Sequence, residues 1–149
     1  EVLLEVLLGL DSRDFEFLVA AMYRAMGYQV HVTPAQKDGG RDVILSTPHE
    51  VIFVECKNWR GCVPVGEVAK LAGRIAIEKA TRGILVGTAG FTTGTASATE
   101  VASAHRNQLT LLAGVELILQ LNEHLGAHWH RSVERIIHFE RRRQLVQED

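Results

Sequence analysis

Two side chains in the middle of the chain have the types and spacing of a site that binds a cation and acts on a bound water. Glu55 and Lys57 directly follow the apolar residues 51–54, which predict a buried strand. Because side chains alternate along a strand, Glu55 and Lys57 share one face and Cys56 lies on the other. A buried carboxylate and a buried ammonium are costly unless they are paired or bind a ligand. This strand is therefore the first candidate site.

A predicted hairpin brings a second carboxylate to the same place. Another apolar run covers residues 42–46, and a turn-like tetrapeptide separates it from the strand above. If Ser46 faces Val51, then Asp42 lies opposite Glu55, with Cβ atoms about 4.5–5.5 Å apart. Facing carboxylates repel each other, and a divalent cation between them would remove the repulsion. The prediction depends on the register, because a slip of one residue separates the pair.

The residues around this hairpin resemble the PD-(D/E)xK nuclease superfamily and, within it, the Mrr-type restriction endonuclease catalytic domain. The matching segments, in order, are DFE (residues 14–16) with GY (27–28), KDGGRD (37–42), ECK (55–57) and FT (91–92). The likeness runs from residue 13 to residue 121, which is most of the chain. One departure is Arg41, which stands where the Mrr branch often has a small apolar residue.

The resemblance implies a metal-dependent endonuclease of restriction type that hydrolyses phosphodiester bonds in DNA. Asp42 and Glu55 would hold Mg²⁺, which Mn²⁺ can replace, with the carbonyl oxygen of Cys56 as a further ligand. Lys57 would orient the attacking water and stabilise charge on the phosphate. Glu16 would assist through a metal-bound water. The implied fold is α/β and restriction-endonuclease-like, with a central mixed sheet of about five strands flanked by helices.

The assignment of Glu16 depends most on this resemblance. A helix is predicted over residues 11–26, with Asp11 as its N-cap and Gly27 as its stop. At about 100° per residue, Glu16 lies beside the buried stripe that includes Phe15 rather than within it. Helical spacing alone therefore favours a solvated surface position for this carboxylate.

Four basic residues are predicted to contact the phosphate backbone of DNA. Lys37 and Arg41 flank a loop that contains two glycines. Lys70 and Arg74 lie one turn apart on a helix predicted over residues 65–80. For these last two, the alternative is a solvated face on which Arg74 pairs with the glutamate four residues later.

The order of elements predicts one α/β domain with a helix, a three-stranded antiparallel meander, a crossover helix and two further strands. After the fifth strand, the predicted elements are a helix (115–121), a linker (122–127) and one helix (129–149). The predicted organisation is the end of an upstream helix or a linker (1–10), an Mrr-like nuclease domain (11–122) and a C-terminal helical extension (123–149).

Composition limits the remaining classes of protein. With 18 acidic and 16 basic residues, the chain does not coat nucleic acid by charge alone. Its two cysteines form no CxxC pair, which argues against zinc and fits a reducing, cytoplasmic setting. The apolar residues 1–10 are too short to span a membrane. Besides DNA, the expected partner is a second copy of the chain or a further domain of a longer parent protein.

Three alternatives stay open at this point. A related nuclease, such as a Holliday-junction resolvase, would prefer branched DNA to linear duplex. A DNA-binding module that has lost catalysis has no reason to keep buried charges, so Asp42, Glu55 and Lys57 argue against it. In an unrelated α/β domain, Glu55 and Lys57 would form a structural ion pair.

Overall fold

The computed structural model describes residues 2–34, 42–94 and 96–147. The strands are β1 (Gln29–Val32), β2 (Val43–Ser46), β3 (Val51–Lys57), β4 (Arg82–Gly87) and β5 (Leu109–Ala113). The helices are α1 (Val2–Leu8), α2 (Ser12–Ala25), α3 (Val65–Glu78), α4 (Ala98–Ala104), α5 (Gly114–Leu125) and α6 (Val133–Gln147), with a 3-10 helix at Trp129–Arg131. In this described part of the chain, none of the helices has the length and apolar character needed to cross a membrane.

The strands form one mixed sheet in the order β1-β2-β3-β4-β5. The first three are antiparallel neighbours, while β4 lies parallel to β3 and β5 lies parallel to β4. This is the predicted fold. The predicted hairpin register is also confirmed, because Ser46 faces Val51 and Val43 faces Val54.

Helices cover both faces of the sheet, which explains why β3 is apolar on both sides. On one face, Ile52 and Val54 pack in a core with side chains of α1, α2, α5 and α6. On the other face, Phe53 packs with Leu71 of α3 and Ala102 of α4. The candidate residues Glu55 and Lys57 therefore lie at the end of the central strand of the sheet, which helices cover on both faces.

Two predictions about the C-terminal part were wrong. Four of the six residues of the predicted linker are helical, because α5 continues to Leu125, whose side chain packs against the core. The last predicted helix is interrupted, because the 3-10 helix precedes α6 and places Trp129 in the core. Its indole Nε1 donates a hydrogen bond to Asn122 Oδ1 at 2.9 Å. The predicted division of the chain at residues 10 and 122 stays a prediction.

The helix α6 covers the edge strand β1 and links it to α2. The buried Gln144 amide donates to the Val30 carbonyl oxygen at 3.1 Å and accepts from the Val32 N–H at 2.9 Å. A side chain thus supplies the hydrogen bonds that a neighbouring strand would make. Glu140, also buried, accepts two hydrogen bonds from Arg24 of α2, both at 2.9 Å. These contacts hold α2, which carries Glu16, against the sheet.

Candidate functional site

Glu16 lies inside the protein and not on the solvated surface that helical spacing favoured. The helix α2 begins where predicted, because the side chain of Asp11 accepts a hydrogen bond from the Asp14 N–H. One turn later, Glu16 is only 8% exposed, and its Oε1 is 2.6 Å from Arg13 Nη1. Burial, followed by the nearby charge of Asp42, raises the pKa of Glu16 to about 7 against the opposing effect of Arg13. This carboxyl group can therefore gain or lose a proton near neutral pH.

Asp42 extends the hairpin by one residue beyond β2. Its backbone N–H donates to the Val54 carbonyl oxygen at 2.8 Å, and its Oδ2 accepts from the Cys56 N–H at 2.7 Å. The side chain is thus tied to β3 beside Glu55, as the register predicted. Burial raises the pKa of Asp42, although the Cys56 hydrogen bond and the charge of Lys57 oppose this.

Glu55 is the more deeply enclosed of the two facing carboxylates, at 6% exposure. Its Oε1 is 3.1 Å from Lys57 Nζ. Its Oε2 is buried and has no hydrogen-bond partner among the described residues. Burial and then the charge of Asp42 raise the pKa of Glu55 to about 7, although Lys57 favours the ionised form. A buried acceptor oxygen without a partner costs stability unless a ligand occupies it.

Lys57 lies between two carboxylates. Besides Glu55, it contacts Glu67 of α3, with Nζ 3.3 Å from Glu67 Oε1. Its ammonium also lies over the ring of Trp59, at 5.3 Å from the centroid. Burial lowers the pKa of Lys57, but the two glutamates outweigh this and leave the pKa raised. The lysine therefore carries a positive charge at neutral pH.

Asn58, which sequence reasoning did not single out, holds the end of β3 in place. Its Nδ2 donates to the carbonyl oxygens of Leu7 and Leu10, at 2.7 and 3.1 Å. Its Oδ1 accepts a hydrogen bond of 2.6 Å from Thr88 Oγ1, just beyond β4. The connection from α1 to α2 is thereby fixed beside the candidate site.

Glu67 is a second residue near the site that sequence reasoning did not single out. The available signal was an acidic residue in the first turn of a predicted helix, which is common and indicates no partner. Its contact with Lys57 depends on where α3 begins relative to the end of β3. Local spacing along the chain does not reveal that placement.

The predicted role of Cys56 concerns its carbonyl oxygen, since the thiol is packed against the core. Burial raises the pKa of this thiol well above its ordinary value, which favours the neutral thiol over the thiolate. The packed thiol agrees with the predicted position of Cys56 on the strand face opposite Glu55, and the carbonyl ligand stays a prediction.

The structure describes two of the four basic residues that we predicted to contact DNA. Lys70 is on the surface, with a side chain 74% exposed and Nζ 3.4 Å from Glu67 Oε2. Arg74 pairs with Glu78 at 3.0 Å, the i,i+4 pair that the solvated-face alternative predicted. Lys37 and Arg41 lie outside the described residues. Contact with phosphate stays a prediction for all four residues.

Within residues 2–34, 42–94 and 96–147, no group of three or more His, Cys, Asp and Glu side chains is arranged to hold a metal ion. Mg²⁺ does not require such a cage, because proteins usually bind it through one or two carboxylates together with waters and substrate oxygens. Asp42 and Glu55 supply two carboxylates, and Glu55 Oε2 has no competing hydrogen bond among the described residues. The donor set therefore fits Mg²⁺.

The mixed sheet, with a buried glutamate and a lysine at the end of its central strand and a facing aspartate beside them, defines a nuclease-like α/β domain. The Mrr_cat family model, described as restriction endonuclease, matches residues 7–121. Because this match covers most of the sequence, the chain belongs to the Mrr-type restriction endonuclease family. The family and the fold predicted from the sequence are thus confirmed.

Two curated relatives support the same conclusion. An uncharacterized protein, y4cE of Sinorhizobium fredii, is 39% identical over 89 residues, which cover 56% of this chain and 23% of that protein. The type IV methyl-directed restriction enzyme EcoKMrr of Escherichia coli is 33% identical over 97 residues, which cover 60% of this chain and 32% of the enzyme. The aligned segment is thus a third or less of each relative's length.

Two solved structures share the fold. The DNA modification-dependent restriction endonuclease AspBHI has a TM-score of 0.69 and 21% identity, covering 93% of this chain and 38% of AspBHI. The MspJI restriction endonuclease, solved in complex with a 27-mer oligonucleotide, has a TM-score of 0.65 and 17% identity. That match covers 93% of this chain and 34% of MspJI. At these identities, the likeness shows the architecture alone.

Proposed function

We propose that this chain is the catalytic domain of a metal-dependent DNA endonuclease that hydrolyses phosphodiester bonds. The observation that carries the proposal is the pair of facing carboxylates beside the end of β3, the buried Glu55 and the half-buried Asp42. Glu55 Oε2 has no hydrogen-bond partner among the described residues and lies beside Asp42, whose charge disfavours ionisation of Glu55. This arrangement is unfavourable for folding alone, but it suits a site that a cation completes.

Asp42 and Glu55 would hold Mg²⁺, or Mn²⁺ in its place, with the carbonyl oxygen of Cys56 as a third protein ligand. The bound cation would polarise the phosphate and lower the pKa of a bound water. Binding would also require both carboxyl groups to be ionised. The raised pKa values of Asp42 and Glu55 therefore predict weaker cation binding below neutral pH.

The side chains around this pair would act on the water and on the phosphate. Lys57 would donate hydrogen bonds to the attacking water and stabilise negative charge that develops on the phosphate. Glu16, with a pKa of about 7, would accept a hydrogen bond from water at the site and could take its proton near neutral pH. Lys70, Arg74, Lys37 and Arg41 would contact the DNA backbone.

The proposed biological role is restriction, with modified DNA as the favoured substrate. The support is the relative EcoKMrr, which is named as a methyl-directed enzyme, together with the family to which the chain belongs. Because the aligned part is 32% of EcoKMrr, target recognition is proposed to lie in another part of a longer parent protein. Duplex cleavage needs two active sites, so a homodimer or docking on such a further domain is also proposed. The cytoplasm is the proposed location.

The test is a cleavage assay on plasmid DNA in methylated and unmethylated forms, with a branched junction as a second substrate. Mg²⁺ or Mn²⁺ should support cleavage, and EDTA should abolish it. Asp42→Ala and Glu55→Ala should both be inactive and should lose Mg²⁺ binding in calorimetry, whereas the matched change Glu78→Ala on α3 should not. Cleavage that persists in EDTA, or in either site variant, would contradict the proposal. A strong preference for the junction would favour a resolvase-like nuclease instead.

A further inference from the structure

We infer that Glu67 is a positioning residue that holds the Lys57 ammonium in place when Glu55 binds a cation. This inference rests on the proposed nuclease function, and it assigns a role to a residue outside the proposed ligand set. The site has an unusual feature, because Lys57 lies within ion-pair distance of two carboxylates, Glu55 and Glu67.

The two carboxylates differ in what a cation would do to them. In the present structure, Lys57 Nζ is 3.1 Å from Glu55 Oε1 and 3.3 Å from Glu67 Oε1. A divalent cation on Glu55 would draw charge from that carboxylate and repel the nearby ammonium. Lys57 would then keep its place beside the site only if another anion held it. Glu67 is already in contact and is not a proposed metal ligand.

The position of Glu67 suits the task of holding Lys57, because two features stabilise its carboxylate. It lies in the first turn of α3, where the helix dipole favours a negative side chain. Its second oxygen, Oε2, is 3.4 Å from Lys70 Nζ. Glu67 thus belongs to a rigid helix that packs on the sheet through Val68 and Leu71, so its carboxylate forms a stable anchor on the α3 side of Lys57.

The contact also restrains a side chain that would otherwise have considerable freedom. A lysine has four rotatable side-chain bonds, and ordering it costs conformational entropy. An ammonium that contacts Glu67 and lies over Trp59 is already ordered before substrate binds. Ordering beforehand is how supporting residues increase the rate of the chemical step without binding substrate themselves.

The test compares wild type with Glu67→Gln, which keeps the shape of the side chain and removes its charge. Glu78→Gln is the matched control, because Glu78 lies on the same helix and pairs with Arg74. We expect Glu67→Gln to lower kcat for DNA cleavage by about 10- to 100-fold, as changes to residues that support a metal site commonly do. KM for DNA and the thermal melting curve should stay close to those of wild type. Glu67→Asp should recover part of the loss, because it restores a carboxylate one methylene shorter.

A second measurement reports on Lys57 itself and needs neither metal nor DNA. Brief acetylation by acetic anhydride in EDTA, followed by mass spectrometry, measures how readily each lysine reacts. Lys57 should react several-fold faster in Glu67→Gln than in wild type or in Glu78→Gln. The exposed Lys79 near the end of α3 serves as the internal reference, and its rate should not change.

The outcomes separate this inference from the proposed function. If wild type leaves DNA intact with both Mg²⁺ and Mn²⁺, the nuclease proposal fails, and with it any role of Glu67 in a reaction. If wild type cleaves DNA but Glu67→Gln has unchanged kcat and unchanged Lys57 labelling, the role of Glu67 alone is refuted. An increase in kcat for Glu67→Gln would also overturn the inference, because it would mean that Glu67 restrains Lys57 from acting.

Discussion

The buried carboxylate Glu55 should make the metal-free protein less stable as the pH rises, and replacing it should reverse this. In Glu55→Gln, the side chain keeps its shape but cannot ionise, and a donating NH2 group replaces one of the two acceptor oxygens. If Glu55 is there to bind a cation, its charge is a cost to folding when no cation is present. The neutral variant should then be the more stable protein in EDTA at pH 8.

The magnitude follows from the pKa of Glu55, which the fold raises from 4.5 to about 7. At about 1.4 kcal/mol per pKa unit, this shift corresponds to roughly 3 kcal/mol. The raised pKa already includes the favourable contact with Lys57, because burial and the charge of Asp42 outweigh that contact. We therefore expect Glu55→Gln to raise the free energy of unfolding by up to about 3 kcal/mol at pH 8.

The upward direction of the Glu55 pKa shift sets the pH range in which this residue changes the stability of the protein. Below 4.5, Glu55 is protonated in both folded and unfolded protein, and it contributes no penalty. Between 4.5 and about 7, the unfolded chain releases this proton while the folded protein retains it, so the stability of wild type falls as pH rises. Above about 7, the full penalty is present and this contribution levels off. The difference between wild type and variant should therefore grow from pH 5 to pH 8.

Urea unfolding at pH 5, 6, 7 and 8 in EDTA measures this difference, with Glu78→Gln as the control on α3. Adding Mg²⁺ provides the second half of the assay. At about 100 times its Kd, Mg²⁺ should stabilise wild type by about 2.7 kcal/mol, and Glu55→Gln should gain much less.

The opposite pattern would refute the reasoning. If Glu55 and Lys57 form a structural ion pair, removing one partner should destabilise the protein by roughly 3–5 kcal/mol even in EDTA. Mg²⁺ would then have little effect on wild type.

Three further predictions concern individual contacts. Lys57→Ala should abolish DNA cleavage while leaving Mg²⁺ affinity, measured by calorimetry, and DNA affinity largely intact; loss of Mg²⁺ binding would contradict its proposed role. Changing Lys70 and Arg74 to Ala should weaken DNA binding and reduce the slope of log K against log salt concentration by about one per lost phosphate contact. An unchanged slope would indicate that both side chains lie on a solvated surface that does not contact DNA. Gln144→Ala should leave the Val32 N–H unpaired and cost about 1–3 kcal/mol in urea unfolding, and unchanged stability would exclude this role for the side chain.

Local patterns in the sequence were enough to predict the core of the candidate site. The short hairpin loop sets the register of the two strands, and the alternation of side chains along each strand then places Asp42 beside Glu55. The same alternation places Lys57 on the face of Glu55, and their ion pair agrees with it. Asp11 caps α2 because a carboxylate oxygen can reach the free N–H groups of the first turn.

The sequence by itself therefore determined the family, the antiparallel meander of the first three strands and the alignment of the two carboxylates, because each depends on residues close together in the chain or on a recognisable motif. The tertiary structure alone decided that Glu16 is buried, since this depends on how α2 lies against the sheet. It also decided that Glu67 reaches Lys57 and that Asn58 ties the α1–α2 connection to β3. Such contacts join elements whose relative placement is set by packing over the whole core, and no local period in the sequence encodes that placement.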